Sequence, residues 1–225
     1  MAAIGLIYCG AVLFVNGLML LGHVSTRSAA ILNLFVGALQ VVTPTVLILQ
    51  AGQDTTALLN ASGIYLFGFT FLYVGIVNIT DLPSDGVGWY SLFVTFAALA
   101  YALVNLTVIG DPVFAAIWTS WAVLWLLFFL LLGAGLDALG PHTGWALLLL
   151  SQPTTTIPGF LILAGLYTPS TPFAIILAIT LAALLCLAFV LGQRTALHAT
   201  SSAPPANSSR PSADTAEDSD LEPVG

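Results

Sequence analysis

Thr143–Gln193 reads TGWALLLLSQPTTTIPGFLILAGLYTPSTPFAIILAITLAALLCLAFVLGQ and contains no Asp, Glu, Lys, Arg or His. A hydrocarbon core of roughly 30 Å is crossed by about 20 apolar helical residues. This single stretch can therefore cross twice, with Thr168-Pro169-Ser170-Thr171-Pro172 as the break. The chain before it repeats the pattern. None of the five residue types occurs between Arg27 and Asp54, Asp54 and Asp81, Asp85 and Asp111, or Asp111 and Asp137, and the first of them is His23. Hydrophobic residues make up 59% of the chain and charged ones 6%, whereas a soluble domain carries about 25% charged residues. A water-facing surface cannot be built from such a composition, so the chain reads as an all-α integral membrane protein.

Seven spans are expected, at about 2–22, 28–50, 60–79, 89–109, 112–134, 144–167 and 173–193. Helices are the expected spanning form because a bilayer offers the backbone no water, and the short alternating segments of a barrel are absent. Pro112, just after Gly110-Asp111, is well placed to begin the fifth span. The N-terminus has no basic region before its apolar stretch and reads as a retained first span. Residues 195–225, rich in Ser, Ala, Pro, Asp and Glu, read as a disordered acidic tail. Much of the acid behind the net charge of -7 sits there. Arg27, Arg194 and Arg210 all fall in the cytoplasm if the N-terminus is outside, as the positive-inside rule asks. Nucleic-acid binding is excluded by this scarcity of cations. Cys9 and Cys186 fall mid-helix and read as small apolar packers, with neither a disulfide nor a metal site implied. No cofactor is expected.

Proton-coupled carriers place Asp, Glu or His on the path, and voltage sensors use Arg. Neither resource is available inside these spans. The polar inventory is amide, hydroxyl and indole: Asn16, Asn33, Gln40, Thr70, Asn78, Ser91, Asn105, Thr119, Ser120, Gln152 and Thr154-Thr155-Thr156. Such groups tie helices together in lipid. As a set without charges they also suit a path for a small neutral solute. Trp118, Trp121 and Trp125 share one face of the fifth span by i, i+3, i+7 spacing, with Leu124 beside them. Phe67 and Phe71 share a face of the third, and Leu6, Cys9, Leu13 and Asn16 form a stripe on the first. The interfacial aromatic belt accounts for Trp89 and Trp145 but fits mid-span Trp121 and Trp125 poorly. Two readings stand: ordinary packing, or a slot of facing rings that admits a planar molecule and hinders hydrated ions.

The same stretches carry a family resemblance. Ile7-Tyr8-Cys9-Gly10 through Asn16-Gly17, Asn33-Leu34-Phe35-Val36-Gly37, and Tyr65-Leu66-Phe67-Gly68-Phe69-Thr70-Phe71-Leu72-Tyr73 are three of its segments. Trp89-Tyr90-Ser91-Leu92-Phe93, Ile117-Trp118-Thr119-Ser120-Trp121-Ala122-Val123-Leu124-Trp125 and Ile157-Pro158-Gly159-Phe160-Leu161 complete it. Over about residues 1–167 the chain resembles the AmiS/UreI family of urea and short-chain amide channels. The resemblance implies a six-helix channel bundle over 1–167, assembled as a homohexamer with one pore per protomer, in a bacterial cytoplasmic membrane. The seventh transmembrane helix, 168–194, is additional, and it leads into the acidic cytoplasmic tail at 195–225. The resemblance also implies energy-independent passage of urea or a related amide. By motif match, Phe67, Phe71, Trp118, Trp121, Leu124 and Trp125 would line two constrictions, with Leu6, Leu13 and Asn16 from span one. The chain departs from the family's acid-gated urea channel in three ways. Phe71 stands where that channel has Tyr. Its span-six Glu is absent, and Gln152 is the candidate replacement. The loop near Asp54 is short and has no His, the natural switch near pH 6, so acid gating is not expected. An ion-coupled carrier, a membrane enzyme and a non-transporting scaffold or sensor are the alternatives. The first lacks a charged relay, the second a nucleophile motif or metal-ligand cluster, and the third has only the acidic tail in its favour.

Overall fold

Each break between apolar blocks carries a residue able to end one helix or start the next. The computed structural model, which describes residues 2–201, turns these signals into helices α1 (Ala2–Leu20), α2 (Thr26–Ala51), α3 (Thr55–Thr80), α4 (Asp85–Val104), α5 (Pro112–Phe128), α6 (Gly140–Ser151), α7 (Ile157–Leu163) and α8 (Thr171–Ser201). The carboxylate of Asp54 accepts from Thr56 N and Ala57 N, and that of Asp111 from Val113 N and Phe114 N. Ser25 Oγ accepts from Ser28 N. These side chains satisfy backbone donors that a helix start leaves open. Hydrophobicity alone therefore starts several helices too late. The third begins at Thr55 and the fourth at Asp85, each including polar residues that the apolar runs at 60–79 and 89–109 leave out.

Three helices end in, or are joined by, a widened π turn, at Asn105–Ile109, Phe129–Gly133 and Gln152–Thr156. The last joins α6 to α7 into one span, Asp137–Leu163. Pro153 and Pro158 have no N–H to give to the ladder there, and π turns recur at functional sites. The described residues thus hold seven helical segments long and apolar enough to cross a membrane. The protein is a multi-pass membrane protein without strands among those residues.

The first six spans surround an interior, and α8 packs outside against α5 and α6. Trp145 Nε1 donates to Thr195 Oγ1 at 3.0 Å, and the His142 ring meets Phe189 at 4.9 Å, so α8 is keyed to the start of α6. The helix runs on to Ser201, through the first residues of the expected tail, and 202–225 lie outside the described residues. A close seam joins α2 to α3. A Cβ on Gly37 would lie 2.8 Å from Leu72 N, and one on Gly68 2.9 Å from Gln40 O. Only glycine permits that backbone approach, which brings Gln40 and Phe67 to the same interior.

Beyond α7 the chain is pinned by Tyr167, whose hydroxyl donates to the Asp111 carboxylate at 2.8 and 2.9 Å. Burial, and then the hydrogen bond and charge of Asp111, push the Tyr167 phenol well above its ordinary value. A raised folded-state value means that this contribution is whole below the ordinary tyrosine range near 10 and fades as pH rises through it. Removing the hydroxyl in Tyr167→Phe costs about 1 kcal/mol at neutral pH. The melting-temperature gap between wild type and variant in detergent should narrow above pH about 10. A gap that stays constant well into alkaline conditions would refute the assignment.

Candidate functional site

The interior holds two cavities. The larger, about 310 Å³, is lined by residues that include Leu6, Cys9, Gln40, Asn60, Phe67, Asn105, Asp111, Trp118 and Trp121. The smaller, about 20 Å³, is walled by Leu13, Asn16, Phe67, Thr70, Phe71, Val74, Trp121, Leu124, Trp125, Phe128 and Leu147. The second has room for little more than a water molecule. Phe67 and Trp121 are the walls the two share. Ala2 and Asp111 line the larger cavity, which places it toward the N-terminal end of α1. The smaller one lies deeper, against the later turns of α1, α3 and α5.

Phe67 is the hub of the aromatic cluster. Its centroid is 4.7 Å from Trp121 and from Trp125, and 6.0 Å from Trp118 and from Phe71. Phe67 and Trp121 meet edge to face at 81°, as do Trp118 and Trp121 at 83° and 5.0 Å. The expected slot of facing rings is therefore built from edges turned against faces. A ring's positive edge is drawn to another's negative face, whereas two faces in register repel. The parallel stack lies to one side, where Tyr101 covers Trp118 at 4.7 Å and 20°. Gly63 lies against the same indole: a Cβ there would come within 2.9 Å of Trp118 Cζ2.

Two threonines hold the deeper indoles. Trp121 Nε1 donates to Thr154 Oγ1 at 3.1 Å, and Trp125 Nε1 to Thr70 Oγ1 at 3.2 Å. Each hydroxyl gives its own proton to the carbonyl four residues back, Leu150 O and Leu66 O, both at 2.6 Å. A hydroxyl has one proton and two lone pairs. With the proton committed to its helix, its oxygen can only accept, and it accepts the indole N–H. The π turn at Gln152–Thr156 carries Thr154, which is fully buried, to this position.

Asn16 and Asn33 form a reciprocal pair between α1 and α2, at 3.0 and 2.7 Å, beside the smaller cavity. Of the ten residues singled out in sequence, nine line one or both cavities. Gln152 lines neither; its side chain is exposed and donates to Ser151 Oγ at 3.2 Å. The widened turn that presents Thr154 leaves Gln152 on the outer face. Thr70 and Thr154 were present in sequence only as two members of a long polar inventory. Their adjacency to indoles on another helix leaves no local signal.

A multi-span helical bundle with ring-lined cavities at its centre has the architecture of a membrane transport protein. Residues 1–166 match the AmiS/UreI family of transporters, and the chain belongs to that family. It is 62% identical over 165 residues to "Putative transporter protein AmiS2" of Rhodococcus erythropolis, covering 73% of this chain and 80% of that one. It is 51% identical over 207 residues to "Putative amidate substrates transporter protein" of Mycolicibacterium smegmatis, covering 92% and 97%. The fold matches the cryo-electron-microscopy structure of the Helicobacter pylori urea channel in its closed state, with a TM-score of 0.68 and 30% identity, covering 75% of this chain and all of that one.

Thr154→Val keeps the shape of the side chain but removes the acceptor, leaving a buried indole N–H unpaired at a cost of about 1–3 kcal/mol. Thermal unfolding should show that loss for Thr154→Val and little for Thr154→Ser. The Trp121 indole proton should exchange faster in the valine variant alone. Equal stability and exchange in both variants would rule out the tether.

Proposed function

We propose that this protein is a passive, energy-independent channel for urea or small neutral amides. The observation that carries the reading is the pair of cavities meeting at Phe67 and Trp121, with no charged side chain on the walls of the inner one. A planar amide can slide between an edge and a face, shedding water as it goes. A hydrated ion finds no group there to replace its hydration shell. In this reading Leu6, Phe67, Trp118 and Trp121 form the outer constriction. Leu13, Asn16, Phe71, Leu124 and Trp125 form the inner one. The narrowness of the inner cavity means that passage requires the rings to yield. Gln152 has no part in it.

Each protomer conducts by itself and six assemble into a ring. The channel domain is 1–167, and helix 168–194 is an addition outside the bundle. The N-terminus faces outward and the C-terminus the cytoplasm, which puts Arg27 and Arg194 on the inner side of a bacterial cytoplasmic membrane. The large cavity then opens outward. Family membership and the likeness to a urea channel support this reading. So does the absence of a nucleophile motif from the sequence, which speaks for a non-enzyme.

Stopped-flow permeation into liposomes carrying the purified protein tests it. Urea and acetamide should flow downhill at rates unaffected by a proton gradient, with thiourea as a third solute. Trp121→Ala should change the ranking of these solutes, by about tenfold for the worst affected, more than it changes folding. Accumulation against a gradient that collapses with the proton gradient would replace the channel with a coupled carrier. Unaltered discrimination in the variant would remove the constriction.

A further inference from the structure

The larger cavity has one wall of rings and another of amides, and the orientation of those amides is informative. Gln40, 3% exposed on α2, donates its Nε2 to Gly5 O at 3.1 Å. That bond settles which end of the amide is nitrogen. It leaves Gln40 Oε1 as a buried acceptor without a partner among the described residues. Asn105, 5% exposed at the start of a π turn, donates its Nδ2 to Tyr101 O at 2.8 Å. Its side-chain oxygen has no hydrogen bond among the described residues. Asp111, on the same cavity, contributes a carboxylate. An unfilled buried acceptor is costly; among the described residues Gln40 Oε1 shares that state with His142 Nε2 and Thr143 Oγ1, and of the three residues Gln40 alone lines the larger cavity.

We infer that this wall is a selectivity station that reads N–H groups, with Gln40 and Asn105 as its specificity-determining residues. The inference rests on the passive-channel reading. Both nitrogens are engaged by helix carbonyls and neither oxygen has a partner among the described residues, so the wall is biased toward accepting once Gln40 tilts its covered oxygen toward the cavity. A primary amide or a urea entering from water exchanges solvent for the two side-chain oxygens. Its flat face meanwhile lies against Trp118 and Trp121, the rings on the same cavity. A solute of the same size without N–H loses its water and leaves the acceptors empty, and sites built around a hydrogen bond reject such analogues strongly. Carboxylate anions, which bring only acceptors and a charge of the same sign as Asp111, are repelled. The station therefore sorts by donor count, ahead of the sorting by shape at Phe67 and Trp121.

Propionamide, N-methylacetamide and N,N-dimethylformamide are isomers with two, one and no N–H, which separates donor count from formula. Their permeation is measured by stopped flow into liposomes carrying the full chain, with protein-free liposomes subtracted and urea as reference. The protein-mediated rate should fall in that order, by about tenfold from first to last. Gln40→Met should bring the extremes to within about twofold of each other while the protein still elutes as the wild-type assembly. Asn105→Leu, on a different helix, should do the same and decides the matter if Gln40→Met does not fold. Wild-type rates that ignore donor count, or a ranking that survives in a folded variant, would overturn the station while leaving the channel intact. No downhill flux of any solute, urea included, would overturn the channel and the station together.

Discussion

Inside hydrocarbon a polar hydrogen must find its acceptor within the protein, because no water is there to supply one. Most of the interior follows from that constraint. The indoles of Trp121 and Trp125 spend their N–H groups on Thr154 and Thr70, and each threonine spends its proton on its own helix. Asn16 and Asn33 satisfy each other across two helices. Ser91, Thr95 and Thr119 turn back to carbonyls one turn earlier. The alternatives of interhelical glue and solute path are therefore not exclusive. Asn16 ties α1 to α2 and also walls the smaller cavity.

The constraint shapes the aromatic cluster too. A tryptophan held by its nitrogen cannot spin, so its face and edge become fixed features of the wall. Phe67 has no polar atom to tether and is positioned by contact with three indoles. A ring without a hydrogen bond, set against two indoles that have one, Trp121 and Trp125, is the natural part to yield when something passes. Edge-to-face contacts suit this arrangement, because each keeps an attractive geometry over a range of tilts.

The π turns belong to the same account. Widening a helix by one residue per turn changes which residue faces inward without changing the span's direction. In the sixth span this puts Thr154 against Trp121 and Gln152 on the outer face. At the end of α4 it places Asn105 on the larger cavity, while its carbonyl accepts from Asp111 N. The last helix, α8, stands apart. It adds Trp145–Thr195 and His142–Phe189 contacts to α6 and supplies no wall to either cavity described.

The spacing of charges was enough to count the spans, and helical periodicity was enough to put Phe67 with Phe71, and Trp118 with Trp121 and Trp125, on shared faces, while their place on a pore came from the family resemblance. Both are one-dimensional properties, since a bilayer imposes a minimum apolar length and a helix a fixed angle per residue. Polar caps such as Asp54 lay beyond hydropathy because they join a helix by a side-chain bond and not by their own transfer energy. Gln152 was a plausible inward residue on a regular helix, and the π turn around Pro153 rotated it away. The threonine tethers, the edge-to-face angles and the unpartnered oxygen of Gln40 depend on distances between helices. Sequence spacing within one helix carries no information about those distances; only packing the six spans together decides them.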